Sequence, residues 1–495
     1  MTTIGDQPHV LVVPYPAQGH VMPLMRLSYC LVERGVRITF VNTEDIHSRL
    51  VGALPEDGKQ LDHIHLASIS DGLTPKERKD SAKLHNAVLS TLPTELEKLI
   101  KNTESTDKGK IECIISDVEW AVDVAKRLGM RIASFFPSSA GVNALADHIP
   151  KLIELGIIDK NGNVARRMGI RQAVFFPASA GAKALLHHIP KLIEMGIIDE
   201  NGTPKKDEMV VWSPTMPTMK ASHFTWNCMG DFISPEIIFQ TIHRNNQHSK
   251  SADWVFCNTF DELEHAAIAL VPKLLPIGPL PANNQLGNLW PEDSTCLSWL
   301  DQQAAGSVIY IAFGSTAILD QRQFNELALG LELLGRPFLW VFRSESDLYG
   351  RHATTFPDGF QERVSHIGKI VSWAPQHKVL AHPSIACFVS HCGWNSTIEG
   401  VSNGVPFISW PYFADQFFDA TYITEIWRVG LGLKPDEDGI ISRDEIKRKL
   451  DQLIGDKEIK GNALKLKEMA MKSVGKGGSS TKNLELFLKE VRSRT

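Results

Sequence analysis

The chain has 495 residues, enough at about 150 per domain for two large or three ordinary domains, each with a sizeable core. Its 52 basic and 57 acidic residues leave a net charge of −5, which argues against a surface built for nucleic acid or anionic membrane. A hydrophobic content of 43% with 22% charged residues is globular, and seven Cys without a C-x-x-C pair point to free thiols in a reducing compartment rather than a disulfide scaffold or zinc module.

No basic segment leads into an apolar one at the N-terminus, so no secretory leader is expected. No run of about 18 apolar residues predicts a membrane span. The sequons at Asn201 and Asn395 then read as chance matches.

Residues 9–13 read as a buried strand, 20–35 as a helix closed by Gly35, 36–41 as a second strand, and 111–116 as another entered from the charged loop 101–110. Pro276, Pro281 and Pro291 punctuate a Pro/Asn/Gly-rich linker. The rhythm restarts with a strand at 307–313, a turn at Gly314 and a helix at 321–334. Strands follow at 337–342, 368–371, 385–389 and 405–409, and an amphipathic helix at 479–492. Short buried strands alternating with amphipathic helices predict an α/β protein with two doubly wound domains. Their bounds are read as 1–280 and 295–475, with a linker at 281–294 and a C-terminal helical segment, 476–495, packing back on the first domain.

Residues 124–163 and 164–203 are a tandem repeat of period 40, identical at 27 of 40 positions. Each copy reads as a strand, a Ser-rich turn and a helix. Two copies are too few for a solenoid, so the segment is a duplication that adds one surplus βα unit. Differences such as Ile132/Gln172, Asp147/His187 and Lys160/Glu200 indicate divergence after copying. His148 and His188 recur with the repeat and gain no catalytic role from it.

Ligands of such sheets bind beyond the carboxyl ends of the strands. After the strand at 385–389 come Ser390, His391, Cys392 and Gly393, and then Trp394, Asn395 and Ser396 opening a helix. Gly393 would let the backbone approach a ligand, Asn395 and Ser396 would cap the helix, and its first N–H groups form an anion site. His391 can donate to a phosphate. Glu399, one turn after Asn395, can accept from sugar hydroxyls. Trp373 offers a flat face for a base, and Asp415 and Gln416 offer polar groups for a polyhydroxyl sugar. His382, Cys392 and Trp410 read as structural, and Asp436-Glu437-Asp438 as a solvated acidic turn rather than a metal site.

In the first half, His20 follows the first strand at the mouth of the expected cleft. A helix N-terminus disfavours its imidazolium and leaves the ring able to accept a proton. Asp117 ends the strand at 111–116 and can hold the other ring nitrogen, although alone it reads equally as a turn former. Asp123 and Glu119 read as solvated helix residues. Ser315, after Gly314, reads as a turn or cap residue.

The 44 residues 373–416 resemble the signature box of plant family-1 UDP-glycosyltransferases. The match covers Trp373, Pro375, Gln376, His382, the run His391–Ser396, Glu399, Gly404-Val405-Pro406, Pro411, Asp415 and Gln416. The likeness extends over the chain apart from the second repeat copy. It implies two Rossmann-like domains facing a cleft, the GT-B arrangement. It also implies that Trp373 stacks on uracil, Glu399 binds the ribose, and His391, Asn395, Ser396 and Ser315 hold the diphosphate. Asp415 and Gln416 would take the sugar, with Gln376 and Trp394 in the same donor site. Trp394 together with the terminal Gln416 resembles glucose users.

In the resembled family His20 and Asp117 are a base and its orienting acid, so inverting transfer from a UDP-sugar to a hydroxyl or carboxyl of a small lipophilic metabolite is expected. Tyr15, Phe135, Phe136, Ser139, Phe175, Phe176 and Ser179 are candidates for the acceptor pocket. No cofactor or metal is expected, and the enzyme is read as a cytoplasmic monomer. The rival reading is a UDP-sugar or small-molecule binding protein whose acceptor site the duplication impairs. A UDP-sugar epimerase is a third, weakened by the absence of an N-terminal G-x-G-x-x-G.

Overall fold

The computed structural model describes residues 8–16, 18–52, 64–74, 77–79, 87, 90–105, 111, 113–116, 121, 124, 128, 131–135, 172–176, 178–206, 208–211, 216–228, 234–250, 254–280, 292–314, 319–343 and 354–492. Two open parallel sheets organise them. The first is built from β1 (His9–Val13), β2 (Arg37–Thr43), β3 (Ile64–Ile69), β4 (Cys113–Ser116), β5 (Arg131–Phe135), β6 (Gln172–Phe176), β9 (Trp254–Cys257) and β10 (Leu274–Pro276), in the order β10-β9-β6-β5-β4-β1-β2-β3. A small antiparallel pair, β7 (Met209–Val210) and β8 (Met219–Lys220), lies outside it.

The second sheet has the order β13-β12-β11-β14-β15-β16, from β11 (Val308–Ala312), β12 (Phe338–Val341), β13 (Gly368–Val371), β14 (Ile385–Ser390), β15 (Phe407–Ser409) and β16 (Gly430–Gly432). β1 and β11 are buried at all five positions, as expected of central parallel strands covered on both faces.

Eight helices bear on the site: α1 (Gln18–Val32), α2 (Ala180–His187), α3 (Asp261–Leu270), α4 (Gln321–Leu334), α5 (Gln376–Ala381), α6 (Trp394–Asn403), α7 (Gln416–Thr421) and α8 (Ser479–Arg492). The helix expected at 20–35 starts at Gln18 and stops at Val32, with Gly35 in the turn beyond at φ 79°. The strand expected at 405–409 begins at Phe407. α4 and α8 take the bounds their periodicity predicts.

Both repeat copies contribute a strand to the first sheet. β5 and β6 are parallel neighbours, with Ile132 opposite Gln172 and Phe135 opposite Phe175, so equivalent positions of the two copies pair in register. The duplication therefore widens the sheet by one strand between β4 and β9, rather than standing apart as an appendage. The second copy continues into α2, whose N-cap Ser179 accepts from Ala182 N.

α8 returns to the first sheet. Phe487 makes edge-on contacts with Trp254 and Phe256, and Asn483 Nδ2 donates to Pro276 O at 2.8 Å. Leu484, Phe487 and Leu488 share a core with Val10, Val12 and Leu24.

Candidate active site

In each sheet the chain runs outward one way from a central strand and then returns to run outward the other way. The point of reversal lies between β1 and β4 in the first sheet and between β11 and β14 in the second. Crevices beyond the carboxyl ends of the strands at such points are where ligands settle. His20 follows β1 and position 117 follows β4, whose last residue, Ser116, donates from Oγ to Val13 O at 2.8 Å. Gly314 follows β11 and His391 follows β14. His20 and His391 therefore each follow a strand that flanks a reversal point.

Among the described residues, the contacts that join the halves across the crevice include these four. Trp394 Nε1 donates to Asn258 O (2.9 Å), Trp427 Nε1 to Leu263 O (3.2 Å) and Ala414 N to Cys228 O (2.9 Å). The fourth is a buried ion pair between Arg26 of α1 and Glu399 of α6.

The second-half site centres on α6. Gly393, in extended backbone, is its N-cap, and no side chain caps the helix. Asn395 and Ser396, expected as caps, instead lie within its first turn, where the N–H groups point outward without a side-chain acceptor. Ser396 Oγ accepts from Gln376 Nε2 at 3.1 Å, and the same amide donates to Glu399 Oε2 at 2.9 Å. Gln376 is braced by Tyr310, whose hydroxyl donates to Oε1 at 3.2 Å. Gln376, Ser396 and Glu399 thus form one network at the mouth of the strands.

The room at Gly393 seats a side chain. A Cβ there would stand 2.6 Å from His391 Nε2, and one at Gly314, which has φ +72°, would stand 2.7 Å from it. Two glycines therefore seat the imidazole. Burial pushes His391 down to about 4, against a smaller upward pull from the Ala312 backbone, so the ring is neutral near pH 7.

Trp373 is half-buried with the Arg343 guanidinium 5.4 Å from its ring centre. The Trp394 indole is buried and engaged by Asn258. Asp415 and Gln416 are buried at the start of α7. Gln416 Oε1 accepts from the N–H groups of Tyr412 (2.8 Å) and Phe413 (3.1 Å), tying the residue to the turn before it.

In the first half, His20 lies in the first turn of α1, buried, with its ring 4.9 Å from that of Tyr15. Asp117 and Ser315 lie outside the described residues, as do Phe136, Ser139, Asp123, Glu119 and His148. Phe135 and Phe175 fall on β5 and β6. Phe176 and Ser179 are buried, and Ser179 serves as the cap of α2.

The residues read as structural behave so. His382 bonds Ser384 Oγ and Asp301 Oδ1 (2.8 and 3.2 Å), and Trp410 packs edge-on against Phe313. The Cys392 thiol is pushed up to about 12 by burial. Asp436 Oδ1 accepts from the N–H groups of Asp438 and Ile440, while Asp438 pairs with Arg322, so this acidic run closes a turn.

Sequence alone did not find the buried acids between the halves. Glu264 of α3 accepts from the N–H groups of Ala180 and Gly181, both at 2.9 Å, at the start of α2. Burial raises it to about 7, against the downward pull of those bonds. Asp419 of α7 is raised by burial first and by Asp415 next.

Two facing parallel sheets with a polar network and open helix N–H groups at one reversal point and a histidine at the other define a nucleotide-sugar transferase. The chain belongs to the plant family-1 UDP-glycosyltransferases and has their GT-B fold. The profile described as "UDP-glucoronosyl and UDP-glucosyl transferase" matches residues 227–473. The chain is 39% identical to UDP-glycosyltransferase 83A1 of Arabidopsis thaliana, with 99% of this chain and 97% of that one covered. It is 34% identical to linamarin synthase 1 of Manihot esculenta, with 99% of each covered. Among solved structures, a UDP-glucosyltransferase from Polygonum tinctorium capable of glucosylating indoxyl superposes with a TM-score of 0.74 at 28% identity, with 99% of this chain and all of that one covered. The protein is a UDP-glycosyltransferase acting on small plant metabolites. Among the described residues no helix is long and apolar enough to cross a membrane.

Proposed function

We propose that the protein transfers glucose from UDP-glucose, with inversion, to a hydroxyl or carboxyl of a small lipophilic metabolite. His20 takes the acceptor proton, and Asp117 holds the opposite ring nitrogen and offsets the charge that forms on the ring. The segment 295–475 binds the donor, and 1–280 binds the acceptor. The α6 N–H groups with His391, Asn395, Ser396 and Ser315 receive the departing diphosphate. Trp373 stacks on the uracil, Glu399 accepts from the ribose, and Asp415 and Gln416 meet the sugar. The enzyme works as a cytoplasmic monomer without metal or cofactor.

The observation that carries this reading is the joined network of Gln376, Ser396 and Glu399 beside the uncapped start of α6, at the reversal point of the second sheet. The glucosyl activity of the Polygonum tinctorium relative supports the choice of sugar. The test is UDP release from UDP-glucose against phenols, flavonoids, terpenoid alcohols and carboxylic acids, with the anomeric configuration of the product read by NMR. A β-linked glucoside is expected, and an α-linked product would refute inversion.

The inserted strand β5 favours one rival. It separates β6 from β4 by one strand spacing, about 4.8 Å, and so moves the second copy's Phe176 and Ser179 away from the base. A protein that binds UDP-glucose but turns over no member of the panel would be a donor-binding protein with an impaired acceptor site.

A further inference from the structure

Glu399 is buried at 6% exposure, and a carboxylate at such a site needs hydrogen-bond partners. Here its two oxygens take different partners. Arg26, itself 7% exposed, reaches Oε1 from α1 on the opposite side of the cleft. Gln376 Nε2 meets Oε2 at 2.9 Å. The Gln376 arm is fixed by Tyr310 and Ser396, so the carboxylate is gripped between two halves of the protein.

An ionised carboxylate offers about four lone-pair positions on its two oxygens. Arg26 and Gln376 use one on each oxygen, which leaves one on each. That remaining pair suits a vicinal diol, whose two hydroxyls both donate. Arginine carries donors and no acceptor, so it occupies one lone pair of Glu399 and leaves the diol's hydroxyl protons to the carboxylate.

We propose that Arg26 is a positioning residue for the donor: from the N-terminal half it holds Glu399 oriented for the ribose diol of the UDP-sugar. The inference rests on the reading of Glu399 as the ribose acceptor. It links donor binding to contact between the halves, because the group that orients the carboxylate belongs to the other sheet's first helix.

The test measures UDP binding by titration calorimetry and steady-state kinetics for the wild type, Arg26→Met, Arg26→Lys and Glu399→Ala. Arg26→Met should weaken UDP about tenfold or more and raise the donor KM by a similar factor, with kcat and the acceptor KM little changed. Arg26→Lys should recover most of the loss, and it keeps the question open to test if the Met variant does not fold. The discriminating probe is 2′-deoxy-UDP. Since one ribose contact is already missing, Arg26→Met should weaken this ligand much less than UDP.

Equal losses for the two nucleotides, or unchanged or tighter UDP binding by Arg26→Met, would overturn the inference. If Glu399→Ala weakens UDP while Arg26→Met does not, only the role of Arg26 fails. If Glu399→Ala leaves UDP binding unchanged, the ribose reading fails and this inference fails with it.

Discussion

Ile132 and Gln172 occupy the same position of two successive copies and face each other across neighbouring parallel strands. The helix of the second copy is joined to the rest of the described protein by buried polar contacts. Its α2 receives the Glu264 carboxylate, and Lys183 Nζ donates to the buried Asn246 at 3.0 Å. A Cβ at Gly181 would stand 2.4 Å from the Phe418 ring. The first copy keeps the equivalents of Ser179 and Gly181 but has Asn143 in place of Lys183.

Removal of residues 125–164 should therefore leave a folded and active enzyme, with β6 beside β4. Removal of 165–204 should cost about 1–3 kcal/mol through the lost partner of Asn246. Thermal melting with the acceptor panel compares the two. Equal stability of both deletions would show that the copies are interchangeable.

Replacement of His20 by alanine should lower kcat by about 10²–10⁴-fold while UDP binding stays near the wild-type value, since His20 stands at the other reversal point. Single-turnover measurement at saturating donor and acceptor isolates the chemical step. Turnover within a few-fold of the wild type would remove His20 from the role of base.

Gly393→Ala places a methyl group 2.6 Å from His391 Nε2 in backbone that alanine readily adopts, so the imidazole has to move. The expected cost is about 1–3 kcal/mol of overpacking, together with weaker UDP binding. A double variant that also carries His391→Ala should recover the stability but not the affinity. Melting curves and calorimetry separate the two effects.

Glu264 carries a pH dependence of definite sign. Its carboxyl is raised from 4.5 to about 7, so between these values the folded protein holds a proton that the unfolded chain has released. Its contribution is thus full below pH 4.5 and lost as pH rises through 7, by about 3 kcal/mol at most. The stability difference between wild type and Glu264→Ala should shrink from pH 5 to pH 8 in denaturant titrations. A difference that grows over that range would contradict the burial-driven shift.

The helices at 321–334 and 479–492 were legible to the residue because periodicity and local signals agree, as with Asp320, whose side chain accepts from Gln323 N at the head of α4. The first turn of α6 misled for a local reason. Asn395 and Ser396 are favoured capping types, yet Gly393 is the N-cap, and a Cβ there would press on the packed imidazole of His391. Arg26 gave no signal because its partner lies 373 positions away in another sheet, where no periodicity reaches. The pairing of β5 with β6 was equally hidden: two similar strand patterns state that both are strands, not that they are neighbours.

The closure of α8 on β9 and β10 has a consequence for biosynthesis. Val10 and Leu488 belong to one apolar core, so the sheet that contains β1 is covered only after the whole second sheet has been translated. The first domain waits, with Trp254 and Phe256 uncovered, through synthesis of the entire second domain. A chain cut before Ser479, with the whole second sheet intact, would leave an aromatic surface on the first sheet exposed to chaperones and aggregation.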